Sequence, residues 1–82
     1  MKTITITVTQ HDIECGAPRE PTACPVALAV GRVANDPFVG VIWLYCSLGR
    51  FRLTLAINKF IRDFDGGQVV HPRRFHLRDL EK

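Results

Sequence analysis

The sequence predicts an α+β fold: one four-stranded antiparallel sheet carrying two helices on one face, in the order βαββαβ (ferredoxin-like). Three observations carry this. Residues 3–9, 50–55 and 73–78 alternate apolar and polar side chains at the period of a half-buried strand. Residues 23–34 and 56–65 read as helices with recognisable starts and stops. The chain has 82 residues, 46% hydrophobic and 23% charged, and a mean hydropathy of +0.05. That is enough for one modest core, so residues 1–82 are read as a single domain. A large enzyme with separate cofactor and substrate domains is excluded by size.

In the first segment, Ile4, Ile6 and Val8 share one face and Thr3, Thr5, Thr7 and Thr9 the other. Residues 10–22 hold Gly16, Pro18 and Pro21 among polar residues and are expected to form a loop, with a turn over Asp12 to Cys15. This loop is long for the expected fold. Residues 23–34 have Thr22 or Cys24 as cap and Pro25 in the first turn, where a missing N–H costs nothing. Arg32 is the one charge in that segment, so the helix must be well buried. Asn35-Asp36-Pro37 ends it.

Residues 38–46, Phe-Val-Gly-Val-Ile-Trp-Leu-Tyr-Cys, read as a strand apolar on both faces, followed by a hairpin loop at Ser47 to Gly49. In 50–55, Phe51, Leu53 and Leu55 oppose Arg50, Arg52 and Thr54. In 56–65, Ile57, Phe60, Ile61 and Phe64 make one helical stripe, Thr54 is the cap and Gly66-Gly67 the stop. Lys59 and Asp63 pair on the wet side. Pro72 opens an edge strand with Phe75 and Leu77 inward. The expected core is Ile4, Ile6, Leu28, Ile42, Phe51, Leu53, Phe60, Ile61, Phe64 and Phe75.

If the helices cover one face, the other shows Thr3, Thr5, Thr7, Arg50, Arg52, Thr54, Arg74, His76 and Arg78. The second strand adds either Val39, Val41, Trp43 and Tyr45 or Gly40, Ile42 and Leu44. The first row is preferred, because Phe38, Ile42 and Leu44 suit a core and Trp and Tyr suit a wet edge. The expected partner-binding residues are therefore Trp43, Tyr45, Arg50 and Arg52, flanked by Arg74 and Arg78. Tyr, Trp and Arg are the residues of protein interface hot spots. They also compose platforms for single-stranded nucleic acid, although the RNP signature is missing. A protein partner or self-association as a homodimer is the preferred reading, and single-stranded nucleic acid the alternative.

Charge agrees with either reading. Lys plus Arg is 11 and Asp plus Glu is 8, for a net +3 and a pI near 9.1, and eight of the basic residues are Arg. The odd count of cysteines, Cys15, Cys24 and Cys46, argues against a disulfide framework, and the Cys15-x8-Cys24 spacing is not that of a zinc knuckle. The thiols are expected to be reduced and metal-free, with Cys46 a buried small hydrophobe. His11, His71 and His76 lie in separate segments, and Asp12, Glu14, Asp63 and Asp65 read as solvated surface. No catalytic residue, metal site or cofactor is expected. Met1 to Thr9 lacks the apolar core of a signal sequence, and the apolar run 38–46 is too short to span a bilayer. A soluble protein of a reducing cytoplasm is expected.

Residues 7–16, Thr-Val-Thr-Gln-His-Asp-Ile-Glu-Cys-Gly, continue to Cys24-Pro25-Val26-Ala27-Leu28-Ala29. The chain closes with Phe60-Ile61-Arg62-Asp63-Phe64-Asp65-x-Gly67 and Val70-x-Pro72-x-x-Phe75-x-Leu77. These stretches, in this order, resemble a set of small uncharacterised bacteriophage and prophage proteins. Some members carry an additional Cys just before the Cys-Pro, where this chain has Pro21-Thr22-Ala23. The resemblance implies a small phage-encoded accessory protein that binds and modulates a host or viral protein in the host cell cytoplasm.

Overall fold

In chain order the elements are β1 (Thr3–Val8), α1 (Gln10–Cys15), α2 (Pro25–Gly31), β2 (Phe38–Val39), β3 (Trp43–Cys46), β4 (Gly49–Arg52), α3 (Leu55–Asp65) and β5 (Arg73–Arg78). The structure is a computed structural model that describes residues 3–78; the ends of the expected 1–82 domain, Met1 and Lys2 and residues 79–82, lie outside them.

Among the described residues the strands form two antiparallel sheets, β1-β5 and β2-β3-β4, and the single four-stranded sheet is not formed. Among the described residues there are three helices, not two. The cause lies in the apolar run 38–46. Gly40 donates its N–H to the Trp43 carbonyl at 2.8 Å, and the run folds back on itself as a hairpin with Phe38 opposite Tyr45. A strand long enough to pair with β1 is thereby lost. The outer edge of β2 is also occupied, because Val39 donates its N–H to the Pro21 carbonyl at 2.8 Å. β1 is left with β5 alone, in a register from Thr3↔Arg78 to Val8↔Arg73.

The third helix, α1, lies within the expected loop. Thr9 and Asp12 form a capping box: the Asp12 N–H donates to the Thr9 hydroxyl oxygen and the Thr9 N–H to the Asp12 carboxylate. Asp12 is not solvated surface. It is 1% exposed and accepts two bonds of 2.6 Å from the Arg32 guanidinium, which also donates to the Thr7 carbonyl at 2.6 Å. This pair ties α1 to the C-terminal end of α2 and to β1. The Arg32 hydrogen bond, with further bonds from Thr9, holds the Asp12 carboxyl below its ordinary range against the opposing effect of burial.

Helix α2 starts at Cys24, whose Sγ accepts the Ala27 N–H at 3.4 Å, with Pro25 in its first turn. Burial pushes the Cys24 thiol up. Thr54 caps α3 by accepting the Ile57 N–H at 3.2 Å, so Thr54 and Leu55 belong to a helix start and not to a strand. Gly49 closes the β3–β4 hairpin at φ +130°, a conformation L side chains rarely adopt.

The core lies between the sheets and the helices. Ile6, Val8, Phe75 and Leu77 come from one sheet, Val39, Leu44 and Phe51 from the other, and Val26, Val30, Ile57 and Phe60 from α2 and α3. Phe60 meets Phe75 edge to face at 5.6 Å. Of the expected core, Ile6, Phe51, Leu53, Phe60 and Phe75 are buried, and Ile4, Leu28, Ile61 and Phe64 are half-buried. Ile42 is 50% exposed, because the turn that follows Gly40 carries it out of the hairpin.

Candidate interaction surface

Pairing across β3 and β4 places Trp43 opposite Arg52 and Tyr45 opposite Arg50. Leu44 and Phe51, one residue out of phase, are fully buried, so Trp43, Tyr45, Arg50 and Arg52 share the outer face of the hairpin. The Arg50 guanidinium lies 4.7 Å from the Trp43 ring centroid and that of Arg52 6.0 Å away. Phe38 joins this face beside Tyr45, with ring centroids 6.3 Å apart, and Val39 is buried. That inverts the expected assignment of Phe38 and Val39. The hairpin brings two facing residues of one run onto the same side.

Arg74 and Arg78 lie on the other sheet. They alternate with buried Phe75 and Leu77 and stand opposite Thr7 and Thr3. His76 shares their face, with Nδ1 2.9 Å from the Thr5 hydroxyl. Thus four of the six expected residues form one cluster and two lie on a separate strand. β4 and β5 nevertheless pack against each other without pairing, and Arg52 and Arg78 line one cleft between them.

One apolar opening was not foreseen. A groove of about 710 Å³ runs beside β2, floored by Val39, Cys24 and Ile61 and walled by Phe38, Val41, Ile42 and Leu55. Val41 is 86% and Leu55 87% exposed. Arg19, Glu20, Arg62 and Asp65 stand among its polar lining. The Arg19 N–H donates to the Asp65 carboxylate at 2.9 Å, fixing the 16–24 segment against the end of α3. Gly40 within an apolar run was the sequence signal for the turn that exposes Val41 and Ile42. Thr54 followed by Leu55 was the signal for a helix start that presents Leu55.

Charge is segregated among the described residues. β1, β3, β4 and β5 hold Arg50, Arg52, Arg73, Arg74 and Arg78 and no acidic residue. The described acids sit on α1, α3 and the loops. The ion pairs found among the described residues are Arg32–Asp12 and Lys59–Asp63, neither of which involves a strand arginine.

Comparison with family models, curated proteins and solved structures finds no match to this chain.

Other chemistry is sparse. Among the described residues no group of three or more His, Cys, Asp or Glu side chains is placed to hold a metal ion. Cys15 is exposed, with Sγ 3.5 Å from His11 Nε2 on the same helix. Cys46 is half-buried and Cys24 buried, and all three are free thiols. Among the described residues no helix is long and apolar enough to cross a membrane.

Proposed function

We propose that this chain is a small non-catalytic binding protein that docks on a partner protein through the apolar groove and the adjoining face of the β2–β4 hairpins. The observation that carries the reading is the concentration of exposed apolar side chains there: Phe38, Val41, Ile42, Tyr45 and Leu55. Isolated apolar residues on a surface need no explanation, but a contiguous set around a groove with a polar rim has the character of an interface. The resemblance of its segments to phage proteins supports a host or viral protein as the partner. Cys24-Pro25 supports that role only as scaffold, since it caps α2.

The test is affinity capture from host-cell extract, with and without nuclease, using wild type, Leu55→Asp, Trp43→Ala and Arg52→Glu. A protein partner that survives nuclease with wild type and is lost with Leu55→Asp supports the reading. Recovery of the same protein by all four chains refutes it. Trp43→Ala and Arg52→Glu should weaken association without unfolding the chain, as both side chains lie on the outer face. A homodimer through the same groove is distinguished by sedimentation of the purified chain.

One observation favours a second reading, a single-stranded nucleic-acid binder: five strand arginines with no acid among them. Against it, Arg50 lies over the Trp43 ring that a base would stack on. Salt separates the two. Phosphate contacts weaken steeply as salt rises, whereas burial of aliphatic surface is not screened.

A further inference from the structure

We infer that the cleft between β4, β5 and the first turn of α3 is an oxyanion site that takes a carboxylate carried by the docked protein. This rests on the docking reading above and specifies the chemistry of the partner. The cleft measures about 510 Å³, and its polar lining is Arg52, Thr54, Asn58, His76 and Arg78. All of these can donate hydrogen bonds, and no acid lines the cleft. Guanidinium groups bind carboxylates in bidentate fashion, so two arginines with a histidine suit an oxyanion in both charge and shape.

Two further features point the same way. The first turn of α3 carries no acidic residue, so no protein charge offsets the positive end of that helix. The Thr5 hydroxyl at His76 Nδ1 can donate its proton there, which leaves the other ring nitrogen as the N–H donor an anion needs. The cleft opens because β4 and β5 touch without forming a ladder.

The choice of a protein carboxylate over a phosphodiester follows from what adjoins the cleft. Ile42, Leu55 and Asn58 line both this cleft and the apolar groove, so the two form one trough with an aliphatic half and a basic half. Aliphatic walls fit Leu- or Val-like side chains. Nucleobases favour aromatic faces to stack on, no Phe, Tyr or Trp among the described residues lines the cleft, and Arg50 lies over the ring of Trp43. The matching partner segment has apolar side chains followed directly by Glu or Asp.

The test is an NMR titration of the ¹⁵N-labelled chain with glutarate at constant ionic strength, chloride being the balancing anion. Saturable shifts at Arg52, Thr54, His76 and Arg78 are expected. Arg52→Gln and Arg78→Gln should each weaken binding about fivefold, the size expected of one partly exposed charge contact. Lys59→Gln, outside the cleft lining and paired with Asp63, should leave it unchanged. The dinucleotide pTpT serves as the second probe. Glutarate shifts that do not saturate, or that survive both arginine substitutions, overturn the site. So does tighter binding of pTpT at the same residues with movement of the Trp43 indole signal, which reassigns the cleft to nucleic acid. Failure here leaves the groove to be judged by the Leu55→Asp capture, so the two claims fail separately.

Discussion

Breaking the Asp12–Arg32 pair, here by Asp12→Ala, should be the most damaging kind of charge removal in this protein. The Asp12 side chain is 2% exposed, whereas that of Arg32 is 49% exposed. The carboxylate has therefore lost its water, and the guanidinium has kept about half of its own. Removing one member of a buried pair costs roughly 3–5 kcal/mol, while the Thr9 cap survives because the backbone N–H of residue 12 still donates to the Thr9 hydroxyl. Because Arg32 remains partly hydrated when its partner goes, the lower part of that range applies, about 3 kcal/mol in all. For a domain this small that corresponds to a fall in Tm of roughly 12–24 °C. Arg32→Ala should cost at least as much, since it strands the carboxylate without its main partner. The double variant should cost less than the sum of the singles. The pH dependence has a definite sign. Asp12 is held below the ordinary carboxyl value in the folded chain, chiefly by its hydrogen bonds from Arg32. Its stabilisation is thus fully present above the unfolded value and is lost as pH falls through the folded one. Urea unfolding of wild type and Asp12→Ala from pH 7 to pH 3 reads both effects. A difference under about 1 kcal/mol at pH 7 would refute the buried-pair argument. A difference that grows on acidification would do the same.

Two further outcomes follow from the packing. Gly16→Ala should destabilise by roughly 1–3 kcal/mol in the same unfolding assay. Its new methyl would lie 2.7 Å from Pro25 Cδ and 2.8 Å from the Asp12 carbonyl oxygen, so wild-type stability in that variant would contradict the close approach. Iodoacetamide at neutral pH should alkylate exposed Cys15 first and Cys24 last, because Cys24 is 4% exposed and burial pushes its thiol up. Mass spectrometry of the partly labelled protein gives the order, and early labelling of Cys24 would contradict its place in the core.

The legible parts of this fold are those where local chemistry decided the outcome. Thr54 capping α3, Cys24-Pro25 starting α2, and the alternation of Arg73–Arg78 all depend on a few neighbouring residues. Pairing partners were not legible, because period-2 alternation assigns faces without assigning neighbours. Gly40 made the difference. One turn there turned an expected central strand into a hairpin, divided the sheet, and moved Ile42 from the expected core to the surface. α1 was hidden for another reason: Gly16, Pro18 and Pro21 made the whole stretch look like loop, although Thr9-x-x-Asp12 is a capping-box pattern. The outer face of Trp43, Tyr45, Arg50 and Arg52 was readable because Leu44 and Phe51 had to go inward. The groove was not, because Val41 and Leu55 look like core until their backbone positions are known.

Amide hydrogen exchange on the chain alone and in its nuclease-treated complex tests the docking surface most directly. Helix and turn amides around Val41, Ile42 and Leu55, together with the β4 amides at Arg50 and Arg52, should gain protection when the partner is bound. Protection confined to α1 around His11 and Cys15, with Val41, Ile42 and Leu55 exchanging as in the free chain, would contradict the account and move the binding face to the opposite end of the chain's first loop.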